Sequence, residues 1–142
     1  MRILCVCRGN TCRSPMAEGV LRQRLPNMRI DSAGTHVRGA GGSADPRGLA
    51  AASARGYDNS AHRARQLARS DFHENDLILA MDSANLTDLH QACPLDATSE
   101  IRLFDPQGRD IPDPYDGGPA DYEHALDMIE HAADALLEIV KK

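Results

Sequence analysis

Apolar positions along the chain change rhythm several times. Arg2 to Val6 is a short run, Ile3-Leu4-Cys5-Val6, with no helical spacing, followed by a Gly-containing turn. Such a run predicts a strand of a parallel sheet, buried on both faces. From Ser14-Pro15 onward, Ala17, Val20, Leu21 and Leu25 recur at helical intervals, predicting an amphipathic helix that stops before Pro26. Ser14 is expected to cap it, with Pro15 in the first helical position. Met28 to Ser32 reads as a second strand, and Gly34 to Gly42 as a loop, because glycine at that density holds neither helix nor strand. Asp45-Pro46 opens a helix that Gly56 ends. After a polar stretch with one turn near Ser70 to His73, Asp76 to Ala80 reads as the third strand. Ser83 to Ala92 reads as a helix closed by Cys93-Pro94, and Ile101 to Phe104 as the fourth strand. Asp105 to Gly118 is a long polar loop. Pro119 then begins a helix with one apolar stripe: Tyr122, Leu126, Ile129, Ala133, Leu136, Leu137 and Val140.

Strands alternating with helices predict an α/β fold, a single three-layer domain over residues 1–142. Its expected core is a four-stranded parallel doubly wound sheet with helices on both faces, connected by right-handed crossovers. Ligands of such sheets bind beyond the carboxyl ends of the strands, near the point where strand order reverses. The chain's 142 residues and 42% hydrophobic content suit one core. Sixteen basic against 21 acidic side chains give a net charge of −5, which argues against nucleic-acid binding and leaves phosphate to a local basic site. The only lysines are Lys141 and Lys142, so lysine-based phosphate loops and Schiff bases are excluded from the body of the fold. The apolar start, Ile3 to Cys7, is too short for a signal-peptide core of about 7–15 residues or a membrane span of about 20. A cytoplasmic location without membrane insertion is expected, with Cys5, Cys7, Cys12 and Cys93 reduced.

Chemistry concentrates after the first strand, in Cys7-Arg8-Gly9-Asn10-Thr11-Cys12-Arg13-Ser14-Pro15. A loop of this length at a helix N-terminus turns successive backbone N–H groups inward as an anion nest, with the helix dipole adding to the field. Gly9 permits close backbone approach, and Asn10 tolerates a left-handed conformation. The field that binds phosphate also stabilises a thiolate, which makes Cys7 the candidate nucleophile. Arg13 can grip two phosphoryl oxygens bidentately, and the Ser14 hydroxyl can donate to the thiolate. The plainer reading, two buried strand cysteines and a surface arginine, does not account for all nine residues together.

These residues resemble the low-molecular-weight protein tyrosine phosphatase family. The resemblance extends through Asp31-Ser32-Ala33-Gly34, Asp45-Pro46-Arg47, His62-Arg63-Ala64-Arg65-Gln66, Met81-Asp82 with Asn85-Leu86, and Asp113-Pro114-Tyr115. It implies a hydrolase acting on phosphorylated protein substrates through a cysteinyl-phosphate on Cys7, without cofactor or metal. Arg13 and the loop from Arg8 to Ser14 would bind phosphate, and Asp113 would serve as general acid and base. Asn10, Ser14, Ser32 and His62 would hold the loop, Cys12 would pair reversibly with Cys7 on oxidation, and Tyr115 would wall the substrate ring. Asp113 also shares its loop with Asp105, Asp110 and Asp116, so crowding by like charge is expected around it. A monomer or weak dimer is expected.

Several positions depart from the family pattern. Arg8 stands where an apolar residue or Thr is frequent, Arg38 where an aromatic commonly lines the variable loop, and Asp116 where a second aromatic often follows Tyr115. The two arginines favour peptides with flanking acids. Thr11 is shared with protein arginine phosphatases, which keeps phosphoarginine open as an alternative to phosphotyrosine. A thioredoxin-linked arsenate reductase would need a further cysteine pair, and only Cys93 remains. A phosphoprotein-binding module would not need Cys7 and Asp113. A zinc site on Cys5, Cys7 and Cys12 has neither a fourth ligand nearby nor the usual spacing.

Overall fold

In the computed structural model, which describes residues 1–140, β1 (Arg2–Cys7) pairs with β2 (Arg29–Gly34) on one side and β3 (Leu77–Ala80) on the other. β4 (Glu100–Leu103) extends the sheet beyond β3, giving the parallel order β2-β1-β3-β4. Lys141 and Lys142 lie outside the described residues.

The unbroken apolar run of β1 is explained by cores on both sides. Ile3, Cys5 and Cys7 enter a cluster with residues of α1 (Arg13–Arg24), α2 (Pro46–Ala54) and α5 (Pro119–Val140). Leu4 and Val6 point the other way, toward Phe72 of α3 (Asp71–Glu74) and Leu89 of α4 (Ser83–Ala92). Fully burying a side chain the size of Leu21 or Ile129, both wholly inaccessible, contributes about 1.5–3 kcal/mol. On α5, Tyr122, Leu126, Ile129, Ala133 and Leu136 are buried as expected, while Leu137 and Val140 pack only at the edge. Ala125 and Ala132 join the stripe because a helix of 3.6 residues per turn sets them beside Leu126 and Ile129. The opposite, charged face binds its neighbours through Arg55, which pairs with Glu123, Asp127 and Glu130, and Arg24, which pairs with Asp134. No helix among the described residues is long and apolar enough to cross a membrane.

Two local expectations are corrected. β2 runs on to Gly34, which is not loop: its N–H donates to Arg65 O at 2.9 Å and its carbonyl accepts from Leu67 N at 2.8 Å. Glycine is required there, since a Cβ would stand 2.7 Å from Arg8 O and 2.9 Å from Asn10 N. Helix α1 begins at Arg13, with Cys12 in the cap position and no side-chain cap bond, so Ser14 lies inside the helix. Its hydroxyl has other partners, described below. The other caps follow expectation: Asp45 accepts from Arg47 N before α2, and Gly56, with φ of 87°, follows its end.

Strand order reverses between β1 and β3, because the chain moves to one side for β2 and returns to the other for β3 and β4. The loops leaving these strands are stitched together there. Met81 N donates to Val6 O at 3.0 Å, and Ile111 N donates to Met81 O at 2.9 Å. The segments carrying Cys7, Asp82 and Asp113 therefore meet at one end of the sheet.

Candidate active site

Cys7 closes β1 with its side chain buried. Its Sγ accepts a hydrogen bond from Asn10 N at 3.2 Å and lies 3.0 Å from Ser14 Oγ. The backbone reverses at Asn10, the one non-glycine residue described with positive φ, at 56°. That conformation is tolerated by Asn and is stabilised here by the side chain. Asn10 Nδ2 donates to Ser14 Oγ at 2.8 Å and to Ser32 Oγ at 2.9 Å, while Oδ1 accepts from Arg65 N at 2.9 Å. His62 donates through Nε2 to Asn10 O at 2.8 Å, since a carbonyl only accepts. The structure thus brings Cys7, Asn10, Ser14, Ser32 and His62 into one bonded group. A Cβ at Gly9 would meet only Thr11 Oγ1 at 3.6 Å, so the close packing of the loop against other protein atoms falls at Gly34.

Arg13, in the first turn of α1, has a side chain only 4% exposed. Its Nη1 donates to Asp82 Oδ2 at 2.6 Å and to Ile111 O at 2.8 Å. A buried guanidinium needs such partners, because breaking one side of a buried pair leaves an uncompensated charge. Asp82 is itself fixed, since its other oxygen accepts from Asn85 N at 2.7 Å as the cap of α4. On the remaining side, Arg13 Nη2 lies 3.7 Å from Asp113 Oδ2. Asp113 is about half exposed, at 48%, and its Oδ1 accepts from Tyr115 N at 3.1 Å. Of the acidic residues on its loop, Asp105 is paired with Arg109 at 3.0 Å and Asp110 accepts from Ser83 N at 3.0 Å, while Arg13 is the cation beside Asp113.

Tyr115 is 57% exposed, and Arg8 in the thiol loop and Arg38 in the segment after β2 are exposed and without an ion-pair partner among the described residues. Thr11 is half-buried, and its Oγ1 lies 3.7 Å from Cys12 Sγ. Cys12 is a free thiol 3.3 Å from the Tyr122 hydroxyl. Burial pushes the Cys12 thiol up from its ordinary range, and the Tyr122 contact pulls it partly back. Cys5, wholly buried on β1, is pushed well up by desolvation first, with Glu18 adding to it.

Sequence reading assigned no role to Asp82 or to the Ile111 carbonyl. Asp82 acts through its place after β3, beside β1, and Ile111 through its N–H bond to Met81 O, so both follow from strand order rather than from residue type. The available signal was an acidic helix cap directly after an apolar strand. No group of three or more potential metal ligands occurs among the described residues.

A family model described as low molecular weight phosphotyrosine protein phosphatase matches residues 2–142. The low molecular weight protein-tyrosine-phosphatase of Streptomyces coelicolor is 38% identical over 155 residues, covering 99% of this chain and 94% of that protein. Among solved structures, Vibrio vulnificus Wzb in complex with benzylphosphonate superposes with a TM-score of 0.91 at 35% identity, covering 96% of this chain and 97% of the other. A Drosophila arginine phosphatase matches with a TM-score of 0.91 at 31% identity, covering 100% and 99% of the two chains. With the match extending over the sheet, the thiol loop and the Asp113 segment alike, the chain belongs to the low molecular weight phosphotyrosine protein phosphatase family.

Proposed function

We propose that this hydrolase removes phosphate from phosphotyrosine in proteins through a covalent intermediate on Cys7. One observation carries the reading: a buried thiol, a buried guanidinium and a half-exposed carboxylate meet at the reversal of strand order, with Arg13 Nη2 3.7 Å from Asp113 Oδ2. The Asn10 amide and Ser14 hydroxyl at Cys7 Sγ support a thiolate there. With Nη1 of Arg13 held by Asp82 and Ile111, its Nε and Nη2 are the edge that grips two phosphoryl oxygens. The Cys7 thiolate attacks phosphorus as the bond to the tyrosyl oxygen breaks, and Asp113 gives that oxygen its proton. Asp113, now a carboxylate, then takes a proton from water, whose oxygen attacks phosphorus. The S–P bond breaks, releasing inorganic phosphate and regenerating the thiolate.

Phosphotyrosine is favoured over phosphoarginine by the rim. Tyr115 offers an exposed ring for stacking, and Arg8 and Arg38 oppose a second guanidinium while favouring acidic residues beside the target. The Thr11 hydroxyl faces Cys12, which removes one polar group that phosphoarginine would use. The second reading, phosphoarginine, rests on the similarity to the Drosophila arginine phosphatase. Initial rates on phosphotyrosine, phosphoarginine and phosphoserine peptides test the choice, with acid quenching to trap phosphorus on Cys7. The highest kcat/KM is expected on phosphotyrosine, with label on Cys7 that vanishes in Cys7→Ser. A higher value on phosphoarginine reverses the substrate order, and an unlabelled Cys7 rejects the covalent route.

Asp113→Asn is expected to slow release of poor leaving groups such as phenol by about 10²–10⁴, and to slow dinitrophenol release far less. Equal loss on both would remove Asp113 from proton donation. Because Cys12 belongs to the same loop as Cys7, mild peroxide is expected to inactivate the enzyme as a Cys7–Cys12 disulfide that thiols reverse. This sensitivity fits a reducing cytoplasm. Peptide mapping that finds Cys7 joined to Cys5, or oxidised to a sulfonic acid, would contradict it.

A further inference from the structure

Arg47 has no part in the chemistry above, yet its guanidinium is the most heavily bonded group between the two halves of the site. Its Nε and Nη2 donate to the two oxygens of Asp45 at 3.1 and 3.0 Å, Nη1 donates to Gly117 O at 2.8 Å, and Nη2 also donates to Tyr115 O at 3.0 Å. Its Cζ lies 5.7 Å from the centre of the Tyr115 ring and 4.8 Å from that of Tyr122. The same contact holds the Asp45 carboxyl below the usual carboxylate range, so the pair stays ionised.

The loop that carries Asp113 has few other ties. From Pro112 to Gly118, every hydrogen bond among the described residues that reaches the loop from outside itself and α5 comes from Arg47, with the longer Arg13–Asp113 pair besides. On its far side, Arg47 is anchored to the thiol loop, because Asp45 N donates to Thr11 O at 2.9 Å. A continuous path therefore runs from Thr11 through Asp45, Arg47 and the Tyr115 peptide to the Asp113 carboxylate, which accepts from Tyr115 N.

We propose that Arg47 is a positioning residue that sets the height of the Asp113 carboxylate and the Tyr115 ring above the thiol loop. The proposal rests on the reading of Asp113 as proton donor. Arginine is needed because one group must donate to a carboxylate and two carbonyls while its Cζ sits over two tyrosine rings; an ammonium offers neither the fork nor a planar face for stacking. Misplacing a catalytic group by about 1 Å costs on the order of 10²-fold in rate.

The test compares Arg47→Met, which keeps the apolar stem, and Arg47→Lys, which keeps the charge, with Asp113→Asn and with the double variant Arg47→Met/Asp113→Asn. Phenyl phosphate, dinitrophenyl phosphate and inhibition by inorganic phosphate are measured for each. Both Arg47 variants are expected to lose about 10²-fold in kcat on phenyl phosphate and far less on dinitrophenyl phosphate, with phosphate inhibition retained. In the double variant, loss of Arg47 is expected to add little to loss of Asp113, because both act on one proton transfer. The inference is overturned by equal loss on both substrates, by rescue in Arg47→Lys, by additive losses, or by phosphate affinity falling in step with rate. If Asp113→Asn shows leaving-group dependence and the Arg47 variants do not, only this inference fails. If Asp113→Asn shows none, the reading of Asp113 fails first. A variant that does not fold would make Arg47 structural and likewise reject the proposal, with Arg47→Lys deciding whether charge alone restores the fold.

Discussion

Asn10 stands in a left-handed backbone conformation and takes part in five hydrogen bonds reaching Cys7, Ser14, Ser32, His62 and Arg65. The residue is fully buried, where an unmet amide costs about 1–3 kcal/mol. The five partners come from four parts of the chain, so the loop's shape is set by β1, α1, β2 and the segment before α3 together. Gly34 completes the constraint from below, since any side chain there would strike Arg8 O and Asn10 N. In the proposed reaction, a loop fixed in this way would present its amides to phosphate without reorganising, which is the condition under which such donors contribute most to catalysis.

A second constraint governs the opposite wall. Arg13 is buried and charged, and Asp82 and Ile111 satisfy one of its nitrogens, leaving its other edge toward Asp113. Asp82 comes from the end of β3 and Ile111 from the loop after β4, so the guanidinium reports the strand order of the sheet. The link from topology to chemistry is therefore specific: reversal of strand order beside β1 brings a carboxylate and a carbonyl to the arginine that follows the thiol loop.

Much of this was legible in the amino-acid sequence where one segment decides its own structure. The run Ile3 to Val6, the spacing of Ala17, Val20 and Leu21, and the stripe from Tyr122 to Leu136 each specify an element through burial of its own face. The thiol loop was legible because nest, thiol and arginine are contiguous. What escaped depended on contacts between distant segments. Ser14 follows the rule for a helix cap, but a hydroxyl beside a sulfur and an amide serves them instead. Gly34 was read as loop because its partners, Arg65 and Leu67, are more than thirty residues away. Asp82 and Arg47 carry ordinary local signals, a helix cap and a first-turn arginine, and only their neighbours in space give them further work.

In the proposed reaction the Asn10 side chain, rather than the backbone conformation alone, preorganises the phosphate site. Asn10→Gly separates the two, since glycine adopts positive φ freely and removes only the side-chain bonds. Calorimetric titration with inorganic phosphate, on a variant whose far-ultraviolet spectrum matches the parent, measures the consequence. A dissociation constant raised by about tenfold or more is expected, equivalent to about 1.4 kcal/mol. Unchanged phosphate affinity in Asn10→Gly would contradict it.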